Sequence, residues 1–125
     1  MKVRFIVGVL ALVALAACGS GDSGDKTVEG DAVTVKMLDS SFEFTEIRVP
    51  VGGTVTFVGT SDVLSHNAVA ADGSWSTEDV FGSLEQYDGD AATLSFDTAG
   101  TYTFYCTFHG NAQGAGMAGT LIVGS

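Results

Sequence analysis

The sequence predicts an all-β fold, an antiparallel Greek-key β-sandwich of seven to eight strands. From Asp31 onward, apolar residues mostly alternate with polar ones, and β-branched and aromatic side chains fill the segments between glycine- and aspartate-rich breaks. No segment shows a convincing helical period. About a hundred residues follow the first apolar run, which is enough for one core and too few for two. These observations favour a single sandwich domain.

Seven segments have the length and the alternation of strands. They are Ala32–Leu38, Phe42–Val49, Thr54–Val58, His66–Ala70, Ala92–Phe96, Thr101–Cys106 and Gly119–Val123. The breaks at 39–41, 50–53 and 98–100 carry the Asp, Ser, Pro and Gly residues that turns favour. Residues 71–89 fit no strand, so we expect a long ordered loop with one helical turn there. Trp75, the only tryptophan, is expected to pack against the core from this loop.

The start of the chain has the organisation of an export signal. Lys2 and Arg4 precede an apolar run that is too short to span a bilayer and that ends in small residues. The run closes on Leu15-Ala16-Ala17-Cys18, which resembles the lipobox of bacterial lipoproteins, where the cysteine is lipidated. The alternative is an ordinary cleaved signal, with Cys18 a bystander or in a disulfide with Cys106.

The lipobox interpretation divides the chain into three parts. Small, polar and acidic residues follow Cys18 and are typical of a flexible linker. We therefore expect a lipoprotein signal peptide over 1–17, a flexible acidic tether over 18–30 and the folded domain over 31–125.

Three side chains with metal-binding chemistry lie close together near the C terminus. They are the thiol of Cys106, the imidazole of His109 and the thioether of Met117, and the chain's only other histidine, His66, lies 40 residues before the cysteine. Blue copper electron-transfer sites use two imidazoles, one thiolate and a weak axial thioether. Residue types alone also allow a zinc site or a Cys–His nucleophile. Zinc would need a fourth strong ligand, and the loop holds no carboxylate, whereas a hydrolase would need an orienting third group that the sequence does not identify.

The sequence around these residues resembles the cupredoxins, especially the small type 1 copper proteins of the plastocyanin, pseudoazurin, amicyanin and halocyanin group. The resemblance covers about residues 33–123. It is carried by Ser65-His66-Asn67, by the run Ala99-Gly100-Thr101-Tyr102-Thr103-Phe104-Tyr105-Cys106, by the Cys106-x-x-His109 spacing and by Gly114-Ala115-Gly116-Met117-Ala118-Gly119-Thr120-Leu121-Ile122-Val123. It implies that one copper ion is held by four ligands, namely His66, Cys106, His109 and Met117.

The resemblance also implies roles for three neighbouring residues. Asn67 matches a position that ties the two ligand-bearing segments together. Phe108 belongs to an apolar surface through which the ring of His109 would exchange electrons, and Tyr105 matches a second, acidic contact area.

One departure from the family pattern concerns the axial ligand. Seven residues separate His109 from Met117, where the plastocyanin-like pattern has four, so we expect an insertion of three around 110–113. Gln113 is the alternative to Met117, because an amide oxygen can also occupy the weak axial position.

The net charge narrows the choice of partners. Fifteen acidic and five basic side chains give −10, and loss of the two basic residues of the signal leaves −12, which argues against nucleic acid as a partner. No charged residue falls within 108–123, so the acidic residues should surround the metal loop rather than cover it. We expect redox partners with a basic docking surface.

Three functional hypotheses follow. The first is a monomeric electron carrier that is not an enzyme, exported and lipid-anchored to the outer face of the cytoplasmic membrane. The second is a copper carrier or store without redox turnover, although the chain lacks the methionine- and histidine-rich cluster that such proteins favour. The third is a structural lipoprotein domain with an incidental Cys–His pair.

Overall fold

The computed structural model describes residues 26–124, which form eight strands and one short helix. The predicted signal peptide and the lipidation site at Cys18 lie outside the described residues. No helix among residues 26–124 combines the length and the apolar character needed to cross a bilayer. In chain order the elements are β1 (Thr27–Glu29), β2 (Ala32–Met37), β3 (Glu46–Val49), β4 (Gly53–Gly59), β5 (Val69–Ala70), α1 (Glu78–Phe81), β6 (Ala91–Phe96), β7 (Gly100–Gly110) and β8 (Gly116–Val123).

The strands form two sheets packed face to face, which confirms the predicted β-sandwich. One sheet has five strands in the order β1-β3-β8-β7-β5, and the other has three in the order β2-β4-β6. Both sheets are mixed: β1 with β3, β2 with β4, and β3 with β8 pair in parallel, while the other pairs are antiparallel. The pairs β1 with β3 and β2 with β4 are parallel because β1 to β4 alternate between the two sheets. Each crossing reverses the chain, so strands two apart in sequence run in the same direction.

Several strand boundaries differ from the sequence prediction. The predicted strand Phe42–Val49 forms a strand only from Glu46, because Phe42 instead bridges back to Met37 across a tight turn in which the N–H of Leu38 donates to the carbonyl of Ser41. The predicted strand His66–Ala70 is reduced to Val69–Ala70.

The strand β1 has no counterpart in the sequence prediction, since it lies within the segment expected to be a flexible tether. It pairs with β3, and the carbonyl of Lys26 accepts hydrogen bonds from the N–H groups of Thr45 and Glu46. The sheet therefore includes residues that precede Asp31.

The core lies between the sheets and is rich in aromatic rings. Alternate residues of β2, β4 and β6 are buried, as the period of two predicts. Trp75 is buried, stacks on Phe57 and meets the edge of Phe96, which confirms its predicted packing role. The single helical turn expected within 71–89 is α1.

The two longest strands meet at one end of the sandwich, which we call the hairpin end because β7 passes into β8 there. The pair Gly110 and Gly116 closes this hairpin. Since β3 runs parallel to β8 and β1 runs parallel to β3, the start of β1 points toward the hairpin end. The residues expected to bind metal all lie at or near this end.

Candidate metal centre

The structure brings together three of the four predicted ligands. The Sγ of Cys106 lies 3.8 Å from Nδ1 of His66 and 3.6 Å from Nδ1 of His109, and one ligand atom from each residue lies within 4.8 Å of the others. His66 and Cys106 are fully buried, whereas His109 is partly exposed. Residues 40 positions apart in sequence thus direct one sulfur and two ring nitrogens at a common point.

A bulge in the hairpin places His109 on the same side as Cys106. Phe104 and Cys106 follow the alternation of β7 and point into the core. In a regular strand, residues three apart face opposite sides. The pairing of β7 with β8 is interrupted between Tyr105 and Gly110, and such bulges redirect side chains. His109 can therefore approach the sulfur although it lies three residues further along.

Hydrogen bonds from two sides hold the segment that carries His66. The backbone of His66 exchanges two hydrogen bonds with Gln86, at 3.1 and 3.0 Å. The buried Asn67 donates from its amide to the hydroxyl of Thr107 at 3.0 Å and accepts from the backbone N–H of Thr107 at 2.9 Å. Because Thr107 directly follows Cys106, the Asn67 side chain joins the two segments that carry the histidine and the cysteine.

The longer loop forms a turn of its own beyond the pair Gly110 and Gly116. The side-chain oxygen of Asn111 accepts from the backbone N–H groups of Gln113 and Ala115, at 3.0 and 3.1 Å. Gln113 is exposed in this turn, whereas Met117 is fully buried on β8 and belongs to the same core cluster as Cys106. The extra residues therefore extend outward, and of the two axial candidates only Met117 is buried with the cysteine.

The environment of His66 favours its neutral form. Burial lowers the pKa of His66 below its ordinary value of 6.5, and the nearby His109 lowers it further, while Asp39 acts in the opposite direction. A neutral imidazole has the free lone pair that a metal requires. The site is thus prepared to bind a cation near neutral pH.

The donor set fits copper. A thiolate, two imidazoles and a buried thioether are the ligands that blue copper sites use. No carboxylate belongs to the cluster formed by His66, Cys106 and His109 within the described part of the chain. The hard oxygen ligands that magnesium or calcium would require are therefore missing from this cluster.

An exposed aromatic ring lies beside His109, within a stretch of the chain, 108–123, that has no charged side chain. Phe108 is 44% exposed, and its ring meets the ring of His109 edge-on. Tyr105 is half-buried on the opposite side of β7 from the cysteine.

Two residues that hold the site, Gln86 and Thr107, were not predicted from the sequence. The position of Thr107 between the cysteine and the histidine could have drawn attention to it, whereas nothing in the sequence distinguishes Gln86.

Comparisons with known proteins agree with this geometry. Residues 29–124 match the family model of copper-binding proteins of the plastocyanin/azurin family. The chain is 36% identical over 100 residues to a plastocyanin from Scenedesmus fuscus, an alignment that covers 73% of this chain and 98% of the relative. It is 38% identical over 104 residues to a chloroplastic plastocyanin from Physcomitrium patens, covering 74% of this chain and 58% of that one.

Solved structures show the same resemblance. An amicyanin variant superposes with a TM-score of 0.54 at 26% identity, covering 77% of this chain and 85% of the amicyanin. A copper-containing nitrite reductase from Thermus scotoductus SA-01 superposes with a TM-score of 0.58 at 27% identity. This chain corresponds to only 22% of the reductase, so the likeness concerns one part of that enzyme. The family match over residues 29–124, together with the Cys–His cluster at the hairpin end, shows that the chain belongs to the plastocyanin/azurin family of copper-binding proteins.

Proposed function

We propose that the protein is a type 1 copper electron carrier in which His66, Cys106 and His109 bind the metal and Met117 is the axial ligand. The observation that carries this proposal is the convergence of the Cys106 sulfur and one ring nitrogen of each histidine within 4.8 Å. Copper bound there would supply one-electron exchange between Cu(II) and Cu(I). The role of the protein is to hold the ligands so that neither oxidation state requires them to move.

The surroundings of the ligands support electron transfer rather than metal delivery. Cys106 lies on β7 and Met117 on β8, and both are buried in the core. The contacts between Asn67 and Thr107 hold the segment that carries His66 against β7. Ligands held in this way change position little, which suits fast electron exchange. A protein that hands over its metal would instead need ligands that can leave the site.

The partial exposure of His109 indicates where electrons would enter and leave. His66 is fully buried, so His109 is the histidine that reaches the surface, and the exposed ring of Phe108 lies beside it. An uncharged contact area of this kind allows a partner to approach closely and to separate again. Tyr105, on the other face of β7, is a second possible electron route.

The cellular setting is part of the same proposal. The N-terminal sequence supports export and a lipid anchor at Cys18, which would place the domain on the outer face of the cytoplasmic membrane. The acidic residues outside 108–123 support redox partners with a basic docking surface. We further propose that the protein acts as a monomer and not as an enzyme.

The direct test is to add Cu(II) to the purified protein and to record its visible spectrum. We expect an intense blue or green absorption that arises from charge transfer between Cys106 and copper. The absorption should be lost in Cys106→Ala and in His66→Ala. A protein that stays colourless but binds Cu(I) would contradict the electron-carrier assignment and would favour the copper carrier or store.

The axial ligand is tested by comparing Met117→Leu with Gln113→Leu. The Leu side chain keeps the volume of Met117, so the domain should remain folded. We expect Met117→Leu to shift the reduction potential while the absorption persists, and Gln113→Leu to change neither. A shift in Gln113→Leu alone would transfer the axial role to the glutamine.

A further inference from the structure

Three buried side-chain nitrogen or oxygen atoms of the described residues have no hydrogen-bond partner in the structure. They are His66 Nε2, Gln86 Oε1 and Trp75 Nε1. Buried polar atoms are nearly always paired, so each unpaired one needs an explanation. The first two belong to residues that face each other.

His66 and Gln86 form an isolated antiparallel bridge. The backbone N–H of each donates to the carbonyl of the other, at 3.1 and 3.0 Å. In such a hydrogen-bonded pair the two side chains leave the backbone on the same side. Both residues are fully buried, so their side chains share one interior region.

The hydrogen bonds of the Gln86 amide show which of its two polar atoms lacks a partner. Its Nε2 donates to the backbone carbonyl of Phe57 at 3.1 Å and to that of Asp90 at 3.3 Å. Since carbonyl oxygens can only accept, the nitrogen must occupy this position and the oxygen must point away from it. Gln86 therefore offers a buried acceptor that lacks a donor.

The ring of His66 offers the matching donor. Its Nδ1 faces the sulfur of Cys106 at 3.8 Å. Metal ligation through Nδ1 requires that nitrogen to be unprotonated, so the proton of the neutral ring lies on Nε2. Nε2 is the other buried atom without a partner.

We propose that Gln86 is a positioning residue for His66: its amide oxygen accepts the Nε2 proton, directly or through one bridging water, and so holds the tautomer whose Nδ1 faces Cys106. This inference rests on the proposed ligation of copper by His66. Hydrogen bonds to the distal nitrogen orient metal-binding histidines, and their loss typically weakens metal binding by about 10- to 100-fold. Because Gln86 is also bonded to Phe57 of β4, the ring would be oriented from the three-stranded sheet.

The test compares Gln86→Met with Gln86→Glu. Met removes every polar atom of the side chain at similar volume. Glu removes the amide nitrogen but presents an oxygen to Nε2 in either protonation state. If Gln86 only supports the loop through its nitrogen, the two variants should have similar effects on His66. If the oxygen acts on His66, the variants should differ.

The first measurement is nitrogen-15 NMR of the His66 ring in the apoprotein, at a pH where the ring is neutral. We expect the proton on Nε2 in the wild type and in Gln86→Glu, and a mixture of tautomers in Gln86→Met. The second is the copper dissociation constant, which should rise by roughly 10- to 100-fold in Gln86→Met and much less in Gln86→Glu.

The outcomes separate this inference from the proposed function. A wild type that binds copper while Gln86→Met keeps the same tautomer and affinity would overturn the role of Gln86. A wild type that binds no copper would overturn the proposed function, whatever the tautomer. If Gln86→Met does not fold, the wild-type spectrum still decides, because a ring proton on Nδ1 in the apoprotein contradicts the proposal.

Discussion

The fully buried imidazole of His66 couples metal binding to folding. Its ring lies close to Cys106 and His109, and its pKa is lowered first by burial and then by His109. Protonation of His66 would place a positive charge in the interior, next to a second histidine. The residue is therefore suited to bind a metal but costs stability when it is protonated.

Because protonation of His66 is unfavourable in the folded state, we predict that the apoprotein loses stability in mild acid. Because the pKa of His66 in the folded state lies below 6.5, the unfolded chain binds the proton more tightly. The His66 contribution is complete above pH 6.5 and is lost progressively as the pH falls through that value toward the folded pKa. Urea unfolding between pH 8 and pH 5 measures it, and the fall should be smaller in His66→Gln. An equal fall in both proteins would mean that other groups cause the acid sensitivity.

The ligand residues were predictable because histidine and cysteine are rare in this chain, whereas more common polar residues with a role at the site were not predictable. The chain has two histidines, and both, with Cys106, form the cluster. Gln86 could not be predicted in this way, because its importance comes from a backbone pairing with His66, 20 positions away in the sequence. Such a pairing depends on tertiary packing and leaves no period or motif in the sequence.

At the scale of elements, the hairpin end depends on a turn that one side chain organises. Asn111 accepts from the N–H groups of Gln113 and Ala115, and its own N–H donates to the carbonyl of Ala115. The turn follows directly on the strand that carries Cys106 and His109. Its order therefore affects how firmly the β7–β8 hairpin is closed.

We predict that Asn111→Ala loosens this turn, since two backbone N–H groups lose their acceptor. The free energy of unfolding should fall by about 1 kcal/mol or somewhat more, and amide exchange at Gln113 and Ala115 should accelerate. Asn111→Asp keeps an acceptor oxygen and is the matched control. If the alanine and aspartate variants exchange at the same rate, the side-chain oxygen does not organise the turn.

The pairing of β7 with β8 also depends on a glycine beneath an aromatic ring. Gly119 lies opposite Phe104, and a Cβ placed on it would lie 2.6 Å from the ring's Cζ and 2.9 Å from the carbonyl oxygen of Thr45. Phe104 is fully buried, and the backbone beside it cannot move away easily. Only glycine leaves enough room at this position.

Gly119→Ala should therefore destabilise the domain by about 1 to 3 kcal/mol, because an added methyl group overpacks the core. Gly30→Ala is the control, since a Cβ there would make an ordinary 3.4 Å contact with Val33. Thermal unfolding of the two apoproteins provides the comparison. Equal stability of the two variants would show that the sheet accommodates the methyl group.

Strands with a clear period of two were predicted well, whereas β1 was missed and the extent of β5 was overestimated. The alternation of β2, β4 and β6 appears in the sequence and in their burial. The short strands β1 and β5 have too few residues to show a period and are held by their neighbours β3 and β7. The parallel pairing was missed because it follows from crossings between sheets, which leave no local signal.

At the scale of the whole molecule, the charge is unevenly distributed. Acidic residues are absent from 108–123, whereas Glu85 and Asp88 follow one another closely in the segment that pairs with His66 through Gln86. Asp97 lies between the end of β6 and the start of β7, at the opposite end from the hairpin. These positions allow the direction of approach of a charged partner to be tested.

With a basic redox protein as partner, we predict an association rate that falls as salt rises. The double change Glu85→Gln and Asp88→Asn should slow association several-fold at low salt, and Asp97→Asn should have a smaller effect. Stopped-flow mixing at two ionic strengths measures the salt dependence of the association rate and the effect of each variant on it. A rate that is independent of salt would mean that the acidic residues serve solubility rather than docking.

The direction of β1 has a consequence for the reach of the molecule. The chain enters the sheet from the hairpin end, and only seven residues separate Cys18 from Lys26. At full extension this stretch spans at most roughly 28 Å. A lipid on Cys18 would therefore keep Lys26, where the chain enters the sheet, within roughly 28 Å of the bilayer, a distance that favours exchange with cofactors of membrane-embedded complexes. Lengthening the segment between Cys18 and Lys26 should allow the protein to deliver electrons to partners further from the lipid surface.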